Sequence, residues 1–433
     1  MLRIFFVFLL LFPLALPAGA EEGTSSDRPP PVEERLKALE KRLDNLEKTE
    51  TVQPPPTEYV CPDGTVYDEP HGCRGGGPAI EQVSFRKLKF SRRESLAEKI
   101  AGELEQSQRL KFGGSARGIL QGVIGTDDRD QLLATGAVDL YFFTAPLPKS
   151  TFLIDLESLG GRGPDQVVGS LSRLNREADT LGVTDDVKVR EAWLLQQFWD
   201  DRLYLVGGKI DLTNYFDQNG VANDETTAFL NSSLVNNPLL AQPVNGPGAA
   251  VLFNPKGDLG GRFGIQSSDG SSRHVAEKVY AIAEVDYHAH PMPTLTGNYR
   301  LWGQTSRVPS DLSRERWGVG ISVDQKVLAQ TALFARYAVG RTEGERDHSA
   351  AGSIGFAVYA PFRDRARDHT GLGFSYLDTA AGIEKVVEGY YNLFVTYQFS
   401  LIANVQWLID GPNRTTGGEN HLLIPGIRGT VNF

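Results

Sequence analysis

From Leu110 onward the chain repeats one pattern, in which apolar and polar residues alternate. A period of two is the mark of β-strands rather than helices. The end of the chain shows it well: Phe433, Val431, Gly429 and Ile427 share one face, and Asn432, Thr430, Arg428 and Gly426 share the other. Leu110, Phe112, Ala116 and Leu120 likewise oppose Lys111, Ser115, Arg117 and Gln121. Val279, Ala281, Ala283, Val285 and Tyr287 oppose Glu284 and Asp286. Leu295, Tyr299 and Leu301 oppose Asn298, Arg300, Trp302 and Gln304, and Tyr391, Leu393, Val395 and Tyr397 oppose Asn392, Thr396 and Gln398.

Half-buried strands of a soluble sandwich alternate too, so two further regularities matter. Tight connections are expected at 146–149, 200–201, 254–258, 325–326 and the Phe399 junction. They interleave with longer ones at 159–186, 212–248, 267–276, 306–313, 341–350 and 411–420, all on one side of the strand count. Short turns at one end and long loops at the other are the rule for outer-membrane barrels. Phe142, Phe143, Phe152, Phe198, Phe253, Tyr287, Phe362, Tyr397 and Phe433 gather at the tight-turn ends, as an interfacial girdle would. The expected fold is all-β, a transmembrane antiparallel barrel of about sixteen strands over 109–433, apolar toward lipid and polar toward a wet lumen.

Composition narrows the function classes. Asp and Glu number 54 against 44 Lys and Arg, which argues against a nucleic-acid partner. After the first 20 residues no apolar run approaches the ~20 residues of a membrane helix, so membrane crossing would need a barrel. Residues 1–20 read as an export signal, with Arg3, an apolar core over 4–16 and Ala18-Gly19-Ala20 as the cleavage site. Over 21–58 a Ser/Pro-rich linker leads to Val32, Leu36, Leu39, Leu43 and Leu46, a short heptad seam. It predicts a periplasmic coiled-coil helix joining copies of the chain, or else a solvated helix. In 59–108, Cys61 and Cys73 bracket a Gly/Pro/Asp-rich loop and are expected to form a disulfide in an exported protein. Leu96, Ile100 and Leu104 predict a short amphipathic helix.

No nucleophile, zinc-protease or redox motif occurs, so no enzyme, cofactor or metal is expected. His288 and His290 share a strand face, but no third ligand is evident. The remaining chemistry is the lumen. Sugars offer hydroxyls to charged or amide groups and C–H faces to aromatic rings, so a sugar pore wants both at a constriction. Arg300 with Trp302 is such a pair, with Glu284 or Asp286 to balance the arginine. Arg336 beside Phe334 and Asn392 beside Phe394 are weaker pairs, and Arg117 and Arg428 are further inward arginines. The bland reading is that these charges hydrate and brace the wall.

Residues 191–237 carry a resemblance. Glu191-Ala192-Trp193-Leu194-Leu195-Gln196-Gln197, Gly207-Gly208-Lys209-Ile210-Asp211-Leu212, Tyr215-Phe216-Asp217, Asn223-Asp224-Glu225 and Phe229-Leu230-Asn231 follow in order. Gln406-Trp407-Leu408-Ile409-Asp410-Gly411-Pro412-Asn413 and Ile424-Pro425-Gly426-Ile427-Arg428 close the chain. Over 110–433 the chain resembles the carbohydrate-selective outer-membrane porins of the OprB type. The resemblance implies a sixteen-stranded barrel for passive uptake of small neutral sugars, narrowed by loops folded into the pore. It places Lys209, Asp211, Asp217, Asn223, Asp224 and Glu225 on or beside the long 212–248 connection. Lipid, lipopolysaccharide and further copies of the chain are the other expected partners. The rival readings are a general porin and an envelope-anchoring barrel.

Overall fold

The computed structural model describes residues 57–60, 66–67, 80–83, 110–125, 131–178, 187–268, 279–292, 295–308, 311–345, 348–362, 365–396, 398–411 and 421–433. The export signal, the heptad residues Val32, Leu36, Leu39, Leu43 and Leu46, both cysteines and the 92–107 helix lie outside the described residues.

Where a loop was expected near Cys61, the described residues form a small antiparallel sheet. Thr57–Val60 (β1) pairs with Val66–Tyr67 (β2) on one side and Ile80–Val83 (β3) on the other. Their β-branched and aromatic residues favour this.

The alternating region closes into an antiparallel barrel. Its strands are Lys111–Val123 (β4), Gln131–Thr144 (β5), Ser150–Gly161 (β6), Lys188–Phe198 (β7), Leu203–Ile210 (β8), Gly246–Phe253 (β9), Leu259–Ser267 (β10) and Val279–Met292 (β11). Leu295–Val308 (β12), Asp311–Leu328 (β13), Thr331–Thr342 (β14), Ser349–Tyr359 (β15), His369–Thr379 (β16), Gly382–Phe394 (β17), Phe399–Ile409 (β18) and His421–Asn432 (β19) complete it. The last strand pairs with the first, Thr430 opposite Arg117, so no edge is left bare. That makes sixteen strands, each paired with its sequence neighbour.

The faces follow the alternation. Phe112, Leu120, Leu132, Val285, Leu301 and Ile321 stay exposed on the outside, while Arg117, Asp139, Glu284, Arg300 and Asp324 are buried inside. Exposed Phe142, Phe152, Phe198, Phe253, Tyr287, Phe362 and Phe433 mark the tight-turn end. Phe143 does not join them; it packs inward against buried core residues. Trp317 and Trp407 add outward aromatics near the opposite end.

Connection lengths depart in detail. Gln325 and Lys326 belong to β13, whose turn comes after Leu328. Only two residues separate β12 from β13 where 306–313 was expected, because both strands run further. Val395 and Thr396 lie in the turn after β17 rather than in a strand. The largest connections, 162–187 and 211–245, both leave the same end.

The hydrophobic core is not between strands but between the inner wall and these two connections. Leu212, Tyr215, Phe216 and Leu240 of the second loop pack against wall residues Tyr204, Tyr280, Ile282 and Trp302. Phe229, Leu234 and Val235 pack against Phe334, Ala357, Tyr390 and Ile402. Val168 and Leu174 of the first loop meet Val123, Leu133, Val386, Leu408 and Ile424. Each fully buried side chain contributes about 1.5–3 kcal/mol to holding a loop inside. Small wall residues make the room: a Cβ on Gly373 would lie 2.9 Å from Leu234 and 3.1 Å from Phe229.

Candidate functional site

The 211–245 loop enters the lumen after β8 and is pinned along its whole length. Asp211 opens it by accepting from the Thr213 amide at 2.9 Å, which caps a short 3-10 turn over Leu212–Asn214. Gln242, near the far end of the loop, returns to the same carboxylate at 2.7 Å. Burial alone would push the Asp211 carboxyl up. The Arg190 guanidinium and the bonds from Thr213 and Gln242 outweigh it and hold the group below the usual carboxylate range.

Asp217 is the deepest anchor. It is fully buried and adopts φ 51°, a left-handed conformation that strains a residue other than glycine. Its carboxylate accepts from Trp302 Nε1 at 3.1 Å and from the Asn237 amide at 2.7 Å, and it lies 3.3 Å from Arg336 Nε. Its own amide donates to Glu284 at 2.8 Å. Burial pushes the Asp217 carboxyl up against the pull of Arg336.

The remaining wall donors take loop carbonyls and side chains. Arg336 donates to Leu234 O at 2.8 Å, Asp217 O at 3.2 Å and Asn223 Oδ1 at 2.9 Å. Arg428 donates to the Glu225 carbonyl and, at 2.7 Å, to that of Ala228. Asn392 holds the Thr227 carbonyl at 2.9 Å. Asp224 turns on itself, accepting from the Thr226 amide at 3.0 Å. Irregular backbone inside a membrane is tolerated only when its polar groups are met in this way.

The first loop is fixed differently. Glu177 pairs with Arg117, which also lies 2.5 Å from Asp139. Asn175 donates to Gln121 at 2.8 Å. The two loops then zip together: Ser232 N donates to Arg173 O at 2.8 Å, and Arg176 N donates to Leu230 O at 3.2 Å. Arg176 also reaches Asn236 at 2.7 Å and Glu225 at 3.3 Å.

These contacts revise the expected site. Arg300 and Trp302 do share the inward face, but Trp302 is 1% exposed, so its indole offers no surface to a sugar. It lies so close to β13 that a Cβ at Gly320 would sit 2.3 Å from its ring. Arg300 is balanced mainly by Asp324 on the following strand, at 3.1 Å; Glu284 stands 4.0 Å away. Asp286 instead takes Arg262 at 3.2 Å. Phe334 is covered by Phe229, centroid to centroid 5.6 Å. Lys209 points outward and donates to the Val189 carbonyl. His288 and His290 stack edge-on at 4.6 Å, His288 bound to Asn298 at 2.7 Å. Among the described residues no three potential metal ligands cluster.

One inward arginine was not anticipated. On β7, Val189 pairs with Leu156 and Glu191 with Asp155, so Arg190 is an extra residue. Plain alternation would send it to lipid with Ala192 and Leu194. The β-bulge turns it into the lumen. There it faces Asp155 at 3.8 Å, Glu157 at 3.9 Å and Asp211 at 3.8 Å. Those separations are too long for hydrogen bonds. Its side chain stays 26% exposed, and Glu157 stays 23% exposed. Tyr141, opposite Asp155 in the sheet, is the adjacent half-buried aromatic. A bulge leaves no mark in a hydropathy pattern, so only the Arg190-Glu191 pair of adjacent charges hinted at it.

A closed barrel, long loops at one end and those loops folded inward are the architecture of a porin. The family model for carbohydrate-selective porins, OprB family, matches residues 131–311 and 278–433. The chain belongs to that family. Membership sets this OprB-family protein among outer-membrane channels rather than enzymes. Its fold is similar to the high-pH structure of OprB from Pseudomonas putida, with a TM-score of 0.63 and 14% identity over 77% of this chain and 96% of that one. The low-pH structure of the same protein gives 0.53 at 15% identity, covering 77% and 95%. OmpT of Vibrio cholerae lacking loop L8 gives 0.50 at 10% identity, covering 75% and 99%. At these identities the likeness concerns the fold. An uncharacterized protein of Aquifex aeolicus (strain VF5) is 35% identical over 89 residues, 21% of this chain. The chain spans 29% of that relative's length.

Proposed function

We propose that this porin passes small neutral sugars passively across the outer membrane, and that it grips them at Arg190. The supporting observation is the contrast in cover. The terminal nitrogens of buried Arg336 and Arg428 are engaged by loop carbonyls. The Arg190 guanidinium makes no hydrogen bond among the described residues and faces three carboxylates in a gap lined by partly exposed groups. A sugar hydroxyl both donates and accepts, so it satisfies a guanidinium and a carboxylate together. Each such contact replaces water and is worth only about 0.5–1.5 kcal/mol net. The resulting weak binding suits a pore that must also release its solute. Arg300, Trp302, Glu284, Asp217, Asn223, Asp224, Glu225, Arg336 and Arg428 act on the sugar indirectly, by holding the loops that narrow the passage. Arg117 does the same through Glu177, whereas Lys209, outside the lumen, only braces β7 at the Val189 carbonyl.

The chain divides in this reading into an export signal (1–20), a linker with a coiled coil that joins copies (21–58), a periplasmic disulfide segment (59–108) and the barrel (109–433). Single-channel conductance in planar bilayers, titrated with several sugars, tests the function. The expected result is saturable, sugar-dependent block. Conductance indifferent to every sugar would mean a general porin, and no conductance would mean an anchor.

A further inference from the structure

Two wall glutamates do something the arginines do not. Glu384 and Glu388 lie on the inward face of β17 with buried Val386 between them, and neither makes an ion pair among the described residues. Glu388 accepts the Leu230 amide at 2.8 Å on one oxygen and the Asn231 amide at 2.9 Å on the other. Glu384 accepts the Leu171 amide at 2.5 Å, the Ser172 amide at 2.9 Å and the Ser172 hydroxyl. Each carboxylate thus clasps two consecutive amides, one pair from each in-folded loop. The clasped segments also touch each other, since Asn231 Nδ2 donates to Ser172 Oγ at 3.1 Å. The Asn231 side-chain Oδ1 meanwhile caps the short helix Ser232–Val235 (α1) by accepting from the Ser233 amide at 2.9 Å.

We propose that Glu384 and Glu388 are the positioning residues that set the aperture of the pore, with β17 as the common anchor of both loops. The inference rests on the reading that those loops narrow the passage. Irregular backbone arrives with bare N–H groups, and a carboxylate is an acceptor with nothing to donate. Bonds to an ionised acceptor are about twice as strong as neutral ones, and two consecutive amides fix direction as well as distance. A glutamine would set an NH₂ donor against one of the amides. Four residues of strand separate the two clasps by about 13 Å, so together they fix the loop pair in position and in tilt.

The test uses the full-length protein and its E384Q and E388Q variants in planar bilayers. The readout is the size cut-off for a graded series of neutral polyethylene glycols, with barrel melting followed in parallel. A rise in cut-off with an unchanged melting temperature is expected for each variant. A charge effect on ions alone would not move the exclusion of neutral polymers, and a merely stabilising role would lower melting without changing the cut-off. Amide hydrogen exchange should speed up about tenfold or more at 230–231 in E388Q and at 171–172 in E384Q. Unchanged cut-offs in both variants overturn the proposal. If the variants fail to fold, exchange in the unsubstituted protein decides: slow exchange at these four amides supports the clasp, and exchange as fast as an open loop overturns it. No sugar enters the measurement, so failure of the Arg190 sugar site would leave this result standing.

Discussion

Arg336 and Arg190 both point into the barrel, and they do opposite work. Arg336 is buried, bonded to Leu234, Asp217 and Asn223, and ion-paired with Asp217. Arg190 is partly exposed, with three carboxylates near it and none within bonding distance. Inward register is common to both, so it says nothing about role. Cover does: a buried guanidinium whose terminal nitrogens hold a loop is part of the wall, and a partly exposed one without hydrogen bonds is available to a solute. The β12–β14 side of the lumen has become a hydrophobic dock for a loop. On the β5–β7 side, Arg190 and Glu157 keep part of their side chains exposed.

The comparison breaks most visibly at Arg336. Arg336→Ala strands the buried Asp217 charge, and losing one partner of such a pair costs about 3–5 kcal/mol. The loop should leave the lumen, so single-channel conductance should rise and become noisy. Wild-type conductance in this variant would show that the pair does not hold the loop. Trp302→Phe is milder. It keeps the packing but leaves the Asp217 oxygen without its indole donor, at about 1–3 kcal/mol. Sugar block should weaken through partial loosening, and hydrogen exchange across 215–219 should quicken; unchanged exchange there would remove the indole from the anchor.

Arg190→Ala removes one support of Asp211 but leaves its bonds from Thr213 and Gln242, so the loops should stay docked and the open-channel conductance close to normal. Sugar block should weaken about three- to tenfold, the equivalent of one or two hydroxyl contacts. Undiminished block would shift the sugar elsewhere in the passage. The smallest effect is the acid dependence of Asp211. Its carboxyl is held below its ordinary value when the loop is docked, so the docked state gains from ionisation. That gain is present above the ordinary carboxylate range and is lost as pH falls below about 4. Loop fluctuations should therefore increase on acidification and do so less in Asp211→Asn, as current noise recorded across pH will show.

Most of the fold was legible because a barrel writes its two faces into every second residue. The count of strands came from that rule, and the side on which long loops fall and the girdle of aromatics came from the connection lengths it marked out. The site was less legible, for a definite reason. Alternation tells which residues face inward but not what covers them. Trp302 and Phe334 resembled a sugar platform, yet inward apolar groups such as Tyr280, Ile282 and Phe334 are where a loop lands. Their presence in a lumen expected to be polar was the available signal. Arg190 escaped because a bulge moves one residue across the sheet without disturbing its neighbours. The clasps at Glu384 and Glu388 join positions 212–213 and 157–158 residues apart, which no local pattern can report.

The central claim is that buried and partly exposed arginines divide the labour between shaping the pore and touching the sugar. Recording Arg336→Ala and Arg190→Ala side by side in planar bilayers, with and without a blocking sugar, tests it directly. The account predicts that Arg336→Ala changes conductance before any sugar is added, while Arg190→Ala keeps conductance and loses block. The same phenotype in both variants, or the two phenotypes exchanged, would contradict it.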